Sequence, residues 1–401
     1  MDFDDSHEEV VYRQQVRQWL AEHAPDWALP VGRKETEAQK MTRARGWQSL
    51  KSAAGYVGIT WPVEVGGVGG NPIEQVIFSQ EESRYNVFVT PFQVGMGMCV
   101  PTLYTYMPAE QAQRFVRPAM RGEEIWCQLF SEPAAGSDLA GVRTRAVREG
   151  EEWVVNGQKV WTSYANHSDF GLLLARTDSS VAKHKGMTMF FIDMRSPGVE
   201  VRPIRSMTGH TDFNEVFLTD VRIADTQRLG EVGAGWRVAL TTLMHERLAI
   251  GKAADAPGVE QLISLAREIS SDGVPLLQNA SIREAISQVY VNDAGLEFLR
   301  MRAQTALSKG QEPGPEASIG KLVMARTRQQ VGALGMDLLE AGGLDSENPK
   351  ISAFQYYYLF APGLRIAGGT DEILRNIIAE RVLGLPPDLR VDRDVPFNEI
   401  K

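Results

Sequence analysis

Trp153-Val154-Val155-Asn156-Gly157-Gln158-Lys159-Val160-Trp161-Thr162-Ser163 is the stretch that decides the fold class. Two runs rich in β-branched and aromatic residues flank an Asn-Gly pair, which predicts a strand, a type I′ turn and a returning strand. Outward from this hairpin, the segment 126–230 is rich in Val, Thr, Phe and Trp, and its apolar positions alternate. Further strands are predicted over 171–176, 187–193, 199–204 and 215–223.

On both sides the period becomes helical. His7, Val10, Val11, Val16, Trp19 and Leu20 recur three or four apart, as do Trp47, Leu50 and Ala54. After the loop Trp61-Pro62-Val63-Glu64-Val65-Gly66-Gly67 the pattern resumes over 72–125. From Gly235 it runs nearly to the end, with breaks at 273–275, 310–315 and Gly342-Gly343, and a last helix is predicted over 371–383. The charged tail after Pro386-Pro387 is expected on the surface. The predicted class is α+β: an N-terminal helical domain (1–125), a middle β domain of sandwich or barrel type (126–232) and a C-terminal helical bundle (233–401).

Composition narrows the function. Of 401 residues, 43% are hydrophobic and 23% charged, which excludes disorder, collagen and low complexity. A net charge of −9 argues against nucleic acid or an acidic membrane surface as partner. Cys99 and Cys127 alone build neither a disulfide framework nor a zinc site, so no metal is expected and a reducing compartment fits. The start Met1-Asp2-Phe3-Asp4-Asp5 carries no evident signal or transit peptide, and no run reaches ~20 apolar residues. A cytoplasmic protein with no membrane partner is the expectation. A Rossmann fingerprint, a Walker A loop, a Gly-x-Ser-x-Gly elbow and His-Glu-x-x-His are all missing.

Four segments carry candidate chemistry. Leu129-Phe130-Ser131-Glu132-Pro133-Ala134-Ala135-Gly136-Ser137-Asp138 ends a strand in a loop of small residues. Free N–H groups near Gly136 and the Ser137 hydroxyl suit a pyrophosphate, although a plain β-turn has the same composition. Trp161, Thr162 and Ser163 offer an indole and two hydroxyls on which a planar cofactor can stack, and a core aromatic with outward hydroxyls reads equally from them. Gly368-Gly369-Thr370-Asp371-Glu372 precedes an apolar stripe, so Thr370 is a predicted N-cap and the helix start a candidate phosphate or carbonyl site; capping alone accounts for the same residues. On the helix 236–250 the predicted apolar face is Trp236, Ala239, Leu240, Leu243, Met244 and Ile250, with Arg247 mid-stripe and Glu246 at its edge. That places a carboxylate and a guanidinium near a cleft, or in an interhelical salt bridge.

In this order along an α–β–α chain, these segments resemble the acyl-CoA dehydrogenase family of flavoenzymes. The likeness is carried by Trp61-Pro62 with Gly66-Gly67, Glu132-Pro133-x-Ala135-Gly136-Ser137-Asp138, Asn156-Gly157-x-Lys159-x-Trp161-x-Ser163, Phe213-Asn214-Glu215-Val216-Phe217, and Gly369-Thr370 with Ile373 and the final helix. It implies FAD between β domain and bundle, α,β-desaturation of an acyl-CoA thioester, and electron-transfer flavoprotein as acceptor. Leu129, Ser131, Trp161, Thr162 and Ser163 match flavin-ring positions, and Gly136 and Ser137 match the pyrophosphate or substrate loop. Thr370 and Glu372 match cofactor contacts, and Gly342-Gly343 a pair that reaches the FAD of a neighbouring subunit.

The chain departs from the commonest pattern at Gly368, where many relatives carry the catalytic glutamate. A minority place that glutamate on the helix that here holds Glu246-Arg247, so the expected base is Glu246, oriented by Arg247. The Gly368 N–H remains available for the thioester carbonyl. Arg-x-x-Phe-Gly is missing from 252–290, which makes a heterotetramer an alternative to a homotetramer. Two glycines at 368–369 remove bulk and favour a branched, cyclic or sterol-like acyl group. Alternatives on the same fold are a subunit dependent on a catalytic partner and a flavin monooxygenase, and the carboxylate at 246 favours desaturation over the latter.

Overall fold

The computed structural model describes residues 5–30, 35–249, 257–308, 314, 317–345, 348–389 and 391–400, without the side chains of 246–249, 304, 307, 308, 317 and 349. Helices α1 (His7–Trp27), α2 (Glu37–Ala53) and α3 (Pro72–Glu82) each start at a capping box, Ser6 with Glu9, Thr36 with Gln39 and Asn71 with Glu74. In each, two orphan amides of the first turn are satisfied reciprocally, which fixes where the helix begins. α4 (Thr90–Val94), a π-turn at Gly95–Cys99, α5 (Val100–Tyr106) and α6 (Ala109–Met120) complete the N-terminal segment.

Eight strands follow: β1 (Trp126–Leu129), β2 (Arg145–Glu149), β3 (Glu152–Ser163), β4 (Phe170–Arg176), β5 (Met187–Asp193), β6 (Val199–Ile204), β7 (Phe213–Ala224) and β8 (Arg228–Leu229). They form one sheet in the order β6-β7-β3-β2-β4-β5-β8, with β1 parallel to β4. Alternation along β4 sends Leu173 and Ala175 to one core and Leu172 and Leu174 to another. The first core also takes Trp153 and Val155 of β3, Val216, Leu218, Val221 and Ile223 of β7 and Phe190 of β5, so the two wings of the sheet close on each other. The second joins the sheet to Cys99, Val100 and Leu103 and to Val238 and Ala239 of α7 (Gly235–Ala249).

The predicted hairpin at Asn156-Gly157 is corrected. β3 passes straight through this pair, and the chain reverses at Gly150-Glu151, with Gly150 in the left-handed region (φ 67°). Asn156 and Gly157 instead lie opposite a β-bulge in β7, where Val155 faces Val221 but Gly157 faces Leu218, so β7 carries one extra residue. The Asn156 amide clamps the bulged residue Asp220, donating to its carboxylate and accepting from its main-chain N–H, both at 2.9 Å. Gly157 is required by close approach: a Cβ there would lie 2.4 Å from Thr144 Oγ1. A turn and a bulge favour the same dipeptide, because both need local side-chain hydrogen bonding and a residue with no Cβ.

The C-terminal bundle contains α8 (Val259–Glu268), a ribbon of β9 (Ser270–Ser271) and β10 (Val274–Pro275), α9 (Ala280–Ser308), α10 (Ala317–Leu339), α11 (Pro349–Leu364) and α12 (Asp371–Ile377), which runs on as a π-turn to Val382. The predicted stripe on α7 also needs correction. Its buried face is Val238, Ala239 and Thr242, with Trp236 and Leu243 packed half-buried against the same core as expected, whereas Leu240 and Met244 are exposed and Ile250 lies outside the described residues. Small residues win that face because the helix start is wedged against the sheet: a Cβ on Gly235 would sit 2.7 Å from the Met187 and Thr188 backbone. The charged tail lies on the surface as expected, and residues 391–400 rest against the β4–β5 loop.

Candidate active site

A second irregularity in the β3–β7 pairing builds the candidate site. Lys159 faces Val216 and Thr162 faces Asn214, so β3 carries one extra residue and Trp161 is forced into left-handed backbone (φ 59°). The indole is thereby turned out of the sheet and is 60% exposed. Val160 N–H donates to Ser131 O at 2.9 Å, which ties the bulge to the end of β1. Left-handed backbone at a bulky residue costs free energy that surrounding structure must supply, and it concentrates at functional positions. Thr162 is buried with Oγ1 unpartnered, and Ser163 is half-buried.

Beneath this bulge lies a buried ion pair. Lys159 Nζ donates to Glu132 Oε1 (2.8 Å), Phe130 O (3.0 Å) and Leu174 O (2.8 Å). Glu132 accepts in addition from Arg143 N–H (2.6 Å) and Thr144 N–H (2.9 Å). Burial pushes the Lys159 ammonium down to about 8, against the pull of Glu132. Burial raises the Glu132 carboxyl, but the Lys159 charge and the hydrogen bonds to Lys159, Thr144 and Arg143 outweigh it and hold the group below the usual carboxylate range. The pair is therefore ionic at neutral pH, and it staples the end of β1, the 131–144 loop and β4 to one point.

The loop itself begins as a tight turn, in which Glu132 and Ala135 exchange main-chain hydrogen bonds at 3.0 and 3.1 Å. This leaves Gly136 and Ser137 exposed, and a Cβ on Gly136 would meet nothing within 4 Å. Leu129 is fully buried between the sheet wings, so only its main chain is available to a ligand.

The C-terminal candidates stand on other elements. Gly368 and Gly369 have φ of 65° and 91°, a pair of left-handed residues that glycine alone tolerates without strain. Lys321 Nζ donates to Gly369 O at 2.6 Å. Thr370 is the N-cap of α12, its hydroxyl accepting from Ile373 N–H at 3.2 Å, as expected from sequence. Next to it Asp371 is buried and bonded to Arg365 Nε (2.9 Å) and Nη2 (2.6 Å). Burial raises the Asp371 carboxyl, but Arg365 and Arg326 bring it below its ordinary value. Glu372 is exposed, Gly342 exposed and Gly343 buried in the 3-10 turn that ends α10. Glu246 and Arg247 occupy the last turn of α7, and their side chains lie outside the described residues.

Ser131 is thus joined to the Trp161–Ser163 bulge, and Gly136 and Ser137 lie in the loop that follows β1, while Gly342, Gly343, Gly368, Thr370 and Glu372 belong to the bundle. His210 of the β6–β7 loop and Tyr356 of α11 meet edge to face at 5.6 Å, one of the contacts between the two segments. Sequence reasoning missed Glu132, Lys159, Lys321 and Asp371 as organisers of these turns. No local signal marks Lys159, because its strand also carries Glu152, Asn156, Gln158, Thr162 and Ser163.

The β-domain patch suits a planar, phosphate-bearing cofactor: an exposed indole on constrained backbone, an unpartnered buried hydroxyl beside it, and an open glycine loop. Among the described residues no helix is long and apolar enough to cross a membrane, and no group of three His, Cys, Asp or Glu is placed to hold a metal ion.

Comparison with known proteins gives three family matches: acyl-CoA dehydrogenase N-terminal domain over residues 6–123, middle domain over 127–221 and C-terminal domain over 233–383. The chain is 42% identical over 328 residues to acyl-CoA dehydrogenase FadE34 of Mycobacterium tuberculosis, covering 81% of this chain but 44% of that protein, so it spans about half the length of that relative. It is 37% identical over 395 residues to acyl-CoA dehydrogenase IpdE1 of Mycolicibacterium smegmatis, covering 94% of this chain and 98% of that one. Among solved structures, the Tcur3481-Tcur3483 steroid ACAD superposes with a TM-score of 0.80 at 26% identity, covering 97% of this chain and all of its own.

Proposed function

The chain belongs to the acyl-CoA dehydrogenase family of oxidoreductases acting on acyl-CoA thioesters, and from that premise we propose that it is an FAD-dependent desaturase of a bulky acyl-CoA with Glu246 as its base. The observation that carries the reading is the Gly368-Gly369 turn: it offers main-chain N–H groups, has no carboxylate, and is held in a left-handed double turn by Lys321. The α-proton must then be removed from elsewhere, and Glu246 on α7 is the candidate, with Arg247 to orient it. The missing side chain at 368 leaves room for a branched, cyclic or sterol-like acyl group. Relatives named for steroid substrates support that choice.

FAD, when bound, supplies the hydride acceptor. Ser131, Trp161, Thr162 and Ser163, with the Leu129 main chain, would hold its ring; Gly136 and Ser137 would hold pyrophosphate or substrate; Thr370 and Glu372 would complete the contacts. Gly342 and Gly343 would serve a neighbouring subunit's cofactor. The Gly368 N–H would bond the thioester carbonyl, where negative charge gathers as the proton leaves. The same reading takes electron-transfer flavoprotein as acceptor, a cytoplasmic location, division of the chain at 125/126 and 232/233, and a dimer-of-dimers tetramer. A relative described by two paired chain names makes a heterotetramer the second reading.

The test is anaerobic mixing of the purified yellow protein with a panel of straight, branched and sterol-like acyl-CoAs. The flavin should bleach with bulky substrates, and Glu246→Gln should stay yellow while still binding them. Undiminished bleaching by that variant overturns the assignment of the base. Flavin retention and bleaching only after co-expression with a second chain would favour the heteromeric reading.

A further inference from the structure

We propose that the C-terminal segment 391–400 is a strap that sets the position of the Gly136–Asp138 loop, with Phe397 and Asp392 as positioning residues for the ligand that loop receives. The proposal rests on the reading of this loop as a substrate or pyrophosphate loop.

Main-chain bonds seat the strap. Phe397 N–H donates to Val181 O and Asn398 N–H to Ser179 O, both at 2.9 Å, and Pro396 bridges antiparallel to Ala182. These acceptors belong to the loop joining β4 to β5, and one cation of that loop, Lys183, and one at the end of β4, Arg176, also reach the 136–142 segment. Lys183 Nζ lies 2.6 Å from Asp392 Oδ2 and 3.1 Å from Asp138 Oδ2, so one ammonium joins strap to ligand loop directly. Asp138 follows Gly136-Ser137 in the chain and is itself exposed, so that ammonium is a tether on an otherwise open turn.

Arg176, at the end of β4, makes the second link. Its in-plane N–H groups donate to Ala140 O (2.5 Å), Val142 O (3.3 Å) and Lys183 O (2.6 Å), and they fix the far end of the loop. The ring of Phe397 covers the guanidinium face at 3.7 Å. A buried guanidinium has two faces to satisfy as well as its N–H groups, and an aromatic face does this through its quadrupole where an aliphatic side chain does not. Without the ring, water reaches the face and competes for the same carbonyl oxygens. The strap thus acts on both ends of the loop, through charge at Asp138 and through a shielded guanidinium at Ala140 and Val142.

The experiment uses the full flavin-loaded chain and three variants, Phe397→Leu, Phe397→Tyr and Asp392→Asn. Amide hydrogen exchange across 134–142 should quicken about five- to tenfold in Phe397→Leu and Asp392→Asn, and return to the parent rate in Phe397→Tyr. KM for acyl-CoA should rise by a similar factor with kcat within about twofold, since a loosened loop loses ground-state binding. Added salt should quicken exchange in the parent and do so less in Asp392→Asn, which keeps only the Lys183–Asp138 pair to be screened. Asp392 lies on the surface, so its variant reads the proposal even if Phe397→Leu misfolds. Unchanged exchange in both variants overturns the strap, whatever substrate the protein uses. Faster exchange with an unaltered KM and flavin retention overturns the assignment of the loop to the ligand, and with it the positioning role.

Discussion

Replacing Lys159 by methionine keeps the length and apolar stem of the side chain and removes the ammonium that three oxygens share. The Phe130 and Leu174 carbonyls each lose a donor, and the Glu132 carboxylate keeps only two main-chain N–H groups in a site cut off from water. Removing one partner of a buried pair costs about 3–5 kcal/mol, because the remaining charge is left uncompensated. Urea unfolding followed by tryptophan fluorescence and circular dichroism should show that loss as a lower midpoint at constant slope. Adding Glu132→Gln should recover much of it, since the stranded charge is then gone. The titration has a sign as well. Folded Lys159 releases its proton near 8 and the unfolded chain near the ordinary 10.5, so between these values the unfolded state binds more protons. Parent stability should therefore rise with pH in that window relative to Lys159→Met. A loss under about 1 kcal/mol, or a double variant worse than the sum of the single ones, would refute the argument that the pair is an ionic staple.

Gly157→Ala should destabilise by about 1–3 kcal/mol through overpacking against Thr144. Because Thr144 N–H serves Glu132, its effect should combine non-additively with that of Lys159→Met in a double-mutant cycle. Asp225 is held down to about 2 by hydrogen bonds from Arg228 and Trp153 Nε1, below its ordinary 3.8. The unfolded chain takes up that proton first, so the stability advantage of the parent over Asp225→Asn should be full above 3.8 and vanish as pH falls to about 2 in acid-unfolding titrations.

Much of the architecture was legible because it is written in local periodicity. Leu172 to Ala175 alternate between two cores as their spacing requires, Thr370 caps its helix, and the acyl-CoA dehydrogenase likeness rests on segments that the family matches also cover. What escaped reading depends on partners distant in sequence. Asn156-Gly157 looks like a turn until Thr144 and Asp220 are seen on either side of it. Lys159 looks like a solvent-facing lysine until Glu132, 27 residues earlier, is brought beneath it. The left-handed residue that shapes the site, Trp161, carries no local mark, since its conformation is imposed by register between β3 and β7. The tail reads as surface from its charges, and its anchors, main-chain bonds to Ser179 and Val181, the Lys183–Asp392 pair and the Phe397 ring over Arg176, all lie far away in sequence.

One core is shared by three stretches of the chain: Cys99, Val100 and Leu103 from the first, Trp126, Leu172, Leu174 and Phe191 from the second, and Val238 and Ala239 from the third. Such a molecule resists modular engineering. A middle portion expressed by itself would present an oily wall to solvent and self-associate, and a chimera that grafts the helices of one homologue onto the strands of another must transplant both sides of this wall together.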